Sequence, residues 1–310
     1  MYLELLNQLA SSLDNKQPRV AITIHQRAMA AMDSTGRGGT MSRAIMWHNL
    51  AHILVKLGET AEAERIFHAV LLRSARSDQT GRLDWQPHIH YAEAALTQGH
   101  ADSAAKYFRA IVAQAVRDSS LYWEGRGLFG LARAQVQLGR LAEVPRVKAR
   151  IEQILAIHPK LKNTDDQVPD GRVLNGWLKL AAGDTAAAKA HFMEALKSNG
   201  YFEGKWRRRL SSVALLAAEC ALALGQADEA LELAREARTI VTLDSLTEIR
   251  SANVGAARLI EGRAMVARGD TVEGRTAIAR ALTALRTGAG PDHPTTRTAA
   301  TLADRFEGGY

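Results

Sequence analysis

Apolar residues recur at three- and four-residue intervals along most of the chain, in stretches long enough for several helical turns, and short polar breaks separate them. The breaks share one form. VKLGETAEAERIF at 55–67, LTQGHADSAAKYF at 96–108, VQLGRLAEVPRVK at 136–148, LAAGDTAAAKAHF at 180–192, LALGQADEALELA at 222–234 and VARGDTVEGRTAI at 266–278 each end one amphipathic helix in a glycine and begin another. A glycine suits the end of a helix because the left-handed conformation found there costs it little. Gly58, Gly99, Gly139, Gly183, Gly225 and Gly269 lie 41, 40, 44, 42 and 44 residues apart, a period that marks a repeat architecture.

This pattern predicts helix pairs at 2–14/18–33, 41–57/60–76, 85–98/101–117, 120–138/141–157, 169–182/185–198, 205–224/227–242 and 247–268/271–286, with a single helix at 295–306. The connections at 35–40, 160–171 and 288–295 carry turn residues. The longest, 160–171, is the expected bend or subdomain joint within a single solenoid spanning 1–310, with 1–159 before it and 172–310 after it.

Aligned on the glycines, the chain shows further columns. Seven residues upstream stand Ala51, Ala92, Ala132, Gly176, Ala218 and Gly262, all small, as close helix approach requires. Five residues downstream stand Ala63, Ala104, Val144, Ala188, Ala230 and Gly274, where a large side chain would separate the two helices. Nine downstream come Phe67, Phe108, Lys148, Phe192, Ala234 and Ile278, read as plugs between hairpins with Lys148 out of pattern.

These residues resemble the tetratricopeptide repeat family. Trp47, Leu50, Ala51, Leu54, Gly58, Ala63, Phe67 and Val70 fall at that family's spacing, and the other repeats match at about half the positions. The repeats here run 40–44 residues against the usual ~34 and lack a closing proline. In that length they are similar to kinesin light chains and bacterial regulator domains, and GAGPDHPTTRTAATLADRF at 288–306 is similar to a stretch of the kinesin-light-chain-type variant, which also accompanies bacterial protein kinases. The resemblance implies an all-α, right-handed solenoid of about seven antiparallel hairpins plus a C-terminal capping helix.

Composition agrees with helices. The 310 residues include 54 Ala against 7 Pro and 17 aromatics, which disfavours large sheets. No stretch approaches the ~20 apolar residues of a spanning helix, and the N-terminus lacks a secretion-signal pattern, so a cytoplasmic protein is expected. The single cysteine excludes an internal disulfide. A net charge of +7, with 30 Arg among 40 basic residues, permits anionic partners without demanding them.

Candidate chemistry is sparse, and no enzyme, cofactor or metal is expected. His48 and His52 share one predicted helix face, with His88 and His90 in the next hairpin, but HNLAH lacks the glutamate base of zinc hydrolases. No cysteine or carboxylate cluster completes a shell, so they read as surface histidines. Cys220, in AAECALAL, reads as a buried inert thiol. Gly125, Gly127 and Gly130 mimic a phosphate-binding spacing, but no strand precedes them, so they read as packing glycines. The run Lys205, Trp206, Arg207, Arg208 and Arg209 offers possible contact with an anionic partner but spreads around one helical turn. Asp165 and Asp166 have no matching carboxylate at a useful spacing.

The resemblance places the first helix of each pair on the concave face. There His52, Glu93, Arg133, Trp177, Glu219 and Arg263, six before each glycine, form a polar or aromatic stripe. Ten before stand His48, Ile89, Phe129, Val173, Leu215 and Leu259, while the residues three before, from Val55 to Val266, read mainly as core. Arg133, Trp177 and Phe129 are the expected anchors, with Arg126 and Arg263 as carboxylate or phosphate partners. The expected function is a non-enzymatic scaffold binding a peptide or helix of another protein, as the docking or sensing part of a bacterial signalling or regulatory protein. Two alternatives stay open: a small-ligand or peptide sensor, and a nucleic-acid-binding solenoid.

Overall fold

The computed structural model describes residues 2–14, 16–34, 41–77, 85–158, 171–203 and 207–307, excepting the side chains at 2–4, 41–44, 73–77, 207–209 and 307. The described structure is helical, without strands. Seven antiparallel pairs follow one another: α1 (Tyr2–Leu13) with α2 (Pro18–Ser34), α3 (Met41–Leu57) with α4 (Thr60–Ser77), α5 (Trp85–Thr97) with α6 (Ala101–Arg117), and α7 (Leu121–Gln137) with α8 (Val144–Ile157). Then come α9 (Gly171–Ala181) with α10 (Thr185–Ser198), α11 (Arg207–Ala223) with α12 (Ala227–Val241), the single turn α13 (Thr247–Arg250), α14 (Ala252–Arg268) with α15 (Thr271–Gly288), and the cap α16 (Pro294–Glu307). The chain is an all-α solenoid. Among the described residues no helix is long and apolar enough to cross a membrane. The connection at 160–171 and, from the basic run, Lys205 and Trp206 lie outside the described residues, apart from Gly171 at the start of α9.

Hydrogen bonds explain why the glycine column sets the repeat. Gly58, Gly99, Gly139, Gly183, Gly225 and Gly269 all have positive φ, between 70° and 95°. In each turn the amide of the following residue donates to the carbonyl four before the glycine, as Glu59 to Leu54 at 2.9 Å and His100 to Ala95 at 2.8 Å. This six-to-one closure satisfies the orphan carbonyls of the ending helix and aims the chain into the next. Ser119, at φ 54°, makes the same turn at the end of α6 without a glycine. One predicted helix differs: 247–268 breaks into α13 and α14 at Ser251, whose backbone is extended and whose hydroxyl accepts from the Val254 amide.

The small columns do what close packing needs. Ala51, Ala92, Ala132 and Ala218 are fully buried, and a Cβ on Gly176 would lie 2.4 Å from the Phe192 ring. Phe67, Phe108, Phe192, Ala234 and Ile278 plug the spaces between hairpins, whereas Lys148 turns outward to pair with Glu152 at 2.8 Å. The core continues from the fourth hairpin into the fifth, because Leu174 of α9 packs with Ile151 and Ile154 of α8.

The last hairpin returns to the second and third. The Ala252 amide donates to the Gly58 carbonyl at 2.8 Å, the Thr60 hydroxyl to the Gly288 carbonyl at 3.3 Å, and His293 meets the Thr97 carbonyl at 2.9 Å. Thus the loops flanking α14–α15 rest on the hairpin turns of α3–α4 and α5–α6, and the superhelix closes edge to edge. A cavity of about 640 Å³ lies along this seam, lined in part by His100, Asp102, Gln137 and His293.

Candidate functional site

Curvature identifies the inner layer. First helices of successive pairs touch one another, α5 with α7, α7 with α9 and α11 with α14, to an extent that second helices do not. The residues six before each glycine sit on these first helices. They make contacts between neighbouring repeats.

At the N-terminal end three imidazoles converge. His48 and His52 lie one turn apart on α3, with ring centroids 4.7 Å apart, and His90 of α5 lies 4.8 Å from the first and 4.1 Å from the second. The Nε2 atoms of His52 and His90 are 3.2 Å apart. Phe67 of α4 walls the group, stacked on His90 at 5.6 Å. These are not the surface histidines that the sequence suggests: His90 is 9% exposed. Burial, with added pressure from His52, Arg126 and His48, pushes its pKa far below the ordinary histidine value, so the ring is neutral. His88, one position off the face, instead lies against Tyr107.

Next along the layer Arg126, 6% exposed, makes a bidentate pair with Glu93, both hydrogen bonds 3.0 Å long. Its guanidinium also lies 5.7 Å from the Trp123 ring centroid, which stacks in parallel on Trp85. Glu93 in turn faces Nδ1 of His90 at 3.7 Å. Arg133, one repeat past Glu93, stacks over Trp177 at 5.0 Å, and Trp177 leans on Phe129 at 5.7 Å. Burial lowers the Arg133 pKa while Glu93 raises it. No described residue accepts a hydrogen bond from its guanidinium. Phe129 is 8% exposed and sits in the core formed by α7, α8 and α9.

Further on, Arg263 grips both oxygens of Glu219 at 2.7 and 2.8 Å. The stripe is therefore a ladder of inter-repeat pairs in which Arg133 alone, of the arginines Arg126, Arg133 and Arg263, has a cation without a paired carboxylate. Arg133–Trp177 and Glu219–Arg263 lie within the six-before column, but the Arg126–Glu93 pair escapes a single-column reading because Arg126 belongs to no column. A 33-residue offset from Glu93 is its only trace in the sequence. The stripe three before each glycine is mixed: Leu96 is buried, but Val55 and Leu180 are exposed.

The remaining candidates lie away from this layer or serve packing. Cys220 is buried, and burial raises its thiol pKa. Gly127 and Gly130 are mid-helix in α7, where a Cβ on Gly130 would strike the Phe108 ring at 2.1 Å. The side chains of Arg207, Arg208 and Arg209, like the segment holding Asp165 and Asp166, lie outside the described residues.

Residues 44–75 and 211–236 each match a family model described as tetratricopeptide repeat; these are the α3–α4 and α11–α12 hairpins. No curated protein matches the chain. Among solved structures, a tetratricopeptide repeat protein from Parabacteroides merdae is similar over 97% of this chain and 98% of that one, with 12% identity and a TM-score of 0.52. A monomeric IFIT1 mutant with m7Gppp-AAAA is similar over 98% of this chain and 65% of that one, with 16% identity and a TM-score of 0.46.

Proposed function

We propose that this chain, a tetratricopeptide-repeat-like protein, is an interaction scaffold whose inner layer receives an acidic peptide or helix end from a partner protein, anchored at Arg133 and Trp177. Repeat proteins of this type generally bind other proteins or peptides, and the stacked pair supports the more specific reading. A planar guanidinium held against an indole is pre-organised to donate two parallel hydrogen bonds to a carboxylate. Arg126 and Arg263 already spend theirs on Glu93 and Glu219. Arg133 does not. Trp177 beside it, and the half-buried Leu215 packed on the same core as Trp177, offer apolar area, the combination of charge for orientation and surface for affinity that peptide grooves use. The resemblance of 288–306 to the kinesin-light-chain-type variant that accompanies bacterial protein kinases, and of the repeat length to bacterial regulator domains, supports placing this scaffold in a bacterial regulatory protein.

The test is peptide-array binding with sequences that end in a free carboxylate or carry internal acids, against their amidated and neutral counterparts. Wild type should retain the acidic set. Arg133→Gln should weaken it roughly tenfold to a hundredfold, as loss of one charged hydrogen-bond pair implies, with helical content unchanged. Equal retention by both proteins overturns the groove, and preference for an added oligonucleotide redirects the search to an anionic polymer.

A further inference from the structure

We propose that His48, His52 and His90 hold one divalent transition-metal ion of the zinc class, clamping the second hairpin to the third. The proposal does not rest on the peptide reading above.

Three donors converge here from two helices. Each of the three residues can offer one ring nitrogen such that all three lie within 4.8 Å of one another. Nitrogens bound at about 2.0–2.1 Å to a tetrahedral ion lie about 3.3 Å apart. The His52 and His90 Nε2 atoms are at 3.2 Å, already at that separation. His48, one helical turn before His52, needs a shift within the reach of its side-chain torsions to complete the triangle.

The surroundings are those of a metal site. Ligating histidines characteristically present their second nitrogen to a carboxylate, which fixes the ring and leaves the other nitrogen for the ion. Glu93 faces Nδ1 of His90 at 3.7 Å, on the opposite side of the ring from the Nε2 that meets His52. Glu93 is itself held by the bidentate Arg126 pair. Phe67 closes the site with an apolar wall, 5.6–5.7 Å from all three rings. An all-imidazole donor set suits Zn²⁺, Cu²⁺, Co²⁺ or Ni²⁺ and does not suit Mg²⁺ or Ca²⁺, which take oxygen. Three protein nitrogens leave a fourth position for water or for an incoming carboxylate.

The experiment titrates chelator-treated, tag-free protein with Zn²⁺ alone by calorimetry, and with Co²⁺ followed by visible absorption. One ion per chain is expected, with the intense Co²⁺ bands of tetrahedral coordination. His52→Asn and His48→Asn, both at half-buried positions, should each lower Zn²⁺ affinity at least tenfold and remove the Co²⁺ bands. His158→Asn, at an exposed site, should leave both intact. Absence of stoichiometric binding overturns the site, as does binding that survives the His48→Asn/His52→Asn double change. Should a variant lose its helical signal, X-ray absorption on the wild-type Zn²⁺ complex decides: three imidazoles support the site and fewer overturn it.

Discussion

Glu59 and Arg250, 191 positions apart in sequence, are joined by two hydrogen bonds of 3.1 and 3.3 Å across the seam where the last hairpin meets the second. The Glu59 side chain is only 6% exposed, and Arg19 of α2 also pairs with it. One carboxylate thus ties the first hairpin, the second and the turn α13 together. Removing its charge leaves Arg250 without its carboxylate and Arg19 with Asp244 alone, at 3.4 Å, in a partly dry setting, which costs about 1–3 kcal/mol. Glu59→Gln should therefore lower stability by that amount. It should also speed amide exchange at residues 247–252, while α9–α12 stay protected. Unchanged exchange in that segment would show that the seam does not depend on this pair.

The turn glycines give a second handle on the same seam. A side chain at positive φ costs about 1–2 kcal/mol for any L residue. At Gly139 a Cβ meets nothing within 4 Å, so Gly139→Ala should cost that alone. At Gly58 the Cβ would lie 2.1 Å from the Ser251 hydroxyl and 3.3 Å from the Ala252 amide nitrogen. Gly58→Ala should cost measurably more in denaturant unfolding, and the excess should shrink in a Ser251→Gly background. Equal losses at the two glycines would contradict the edge-to-edge closure.

How much of this could be read from the chain follows from where each signal lives. Gly58 to Gly269 recur because the six hairpins after the first use the same left-handed turn, and Ala51 to Gly262 recur because those six pairs need the same close approach, so both emerge as columns. The seam has no such period. Glu59 and Arg250 meet because several hairpins together complete a superhelical turn, a property of accumulated angles to which no single repeat contributes a recognisable residue. The histidine cluster is intermediate. His48 and His52 show the helical spacing, but His90 stands nine before its glycine and His52 six, so a column alignment separates residues that the helix crossing brings together. The break at Ser251 was hidden for a related reason, since the Ala252 amide bonds outside its own helix, to Gly58.

Small residues in mid-helix make a third prediction. Gly176 on α9 faces Phe192 on α10, and a Cβ there would fall 2.4 Å from the ring edge. Overpacking of this kind costs about 1–3 kcal/mol. Gly176→Ala should destabilise within that range despite the better helix propensity of alanine. Combining it with Phe192→Leu should cost less than the sum of the two single changes, because the smaller side chain makes room. Strict additivity in the double-mutant cycle would mean that the two positions do not touch in solution.

His25 on α2 supplies the last prediction, through pH. It is fully buried, and neither ring nitrogen has a hydrogen-bond partner. Burial lowers its pKa below the ordinary 6.5, with Asp14 pulling the other way. An imidazole whose pKa falls on folding binds fewer protons in the native state than in the unfolded one, so folding loses stability as pH drops below about 6.5. His25→Leu removes that proton uptake along with two unsatisfied polar atoms, and it fills a similar volume. The variant should melt at the same temperature as wild type or higher at pH 8. Between pH 7 and pH 5 its melting temperature should fall less steeply. Parallel curves for the two proteins across that range would show that His25 finds a proton acceptor or water in solution.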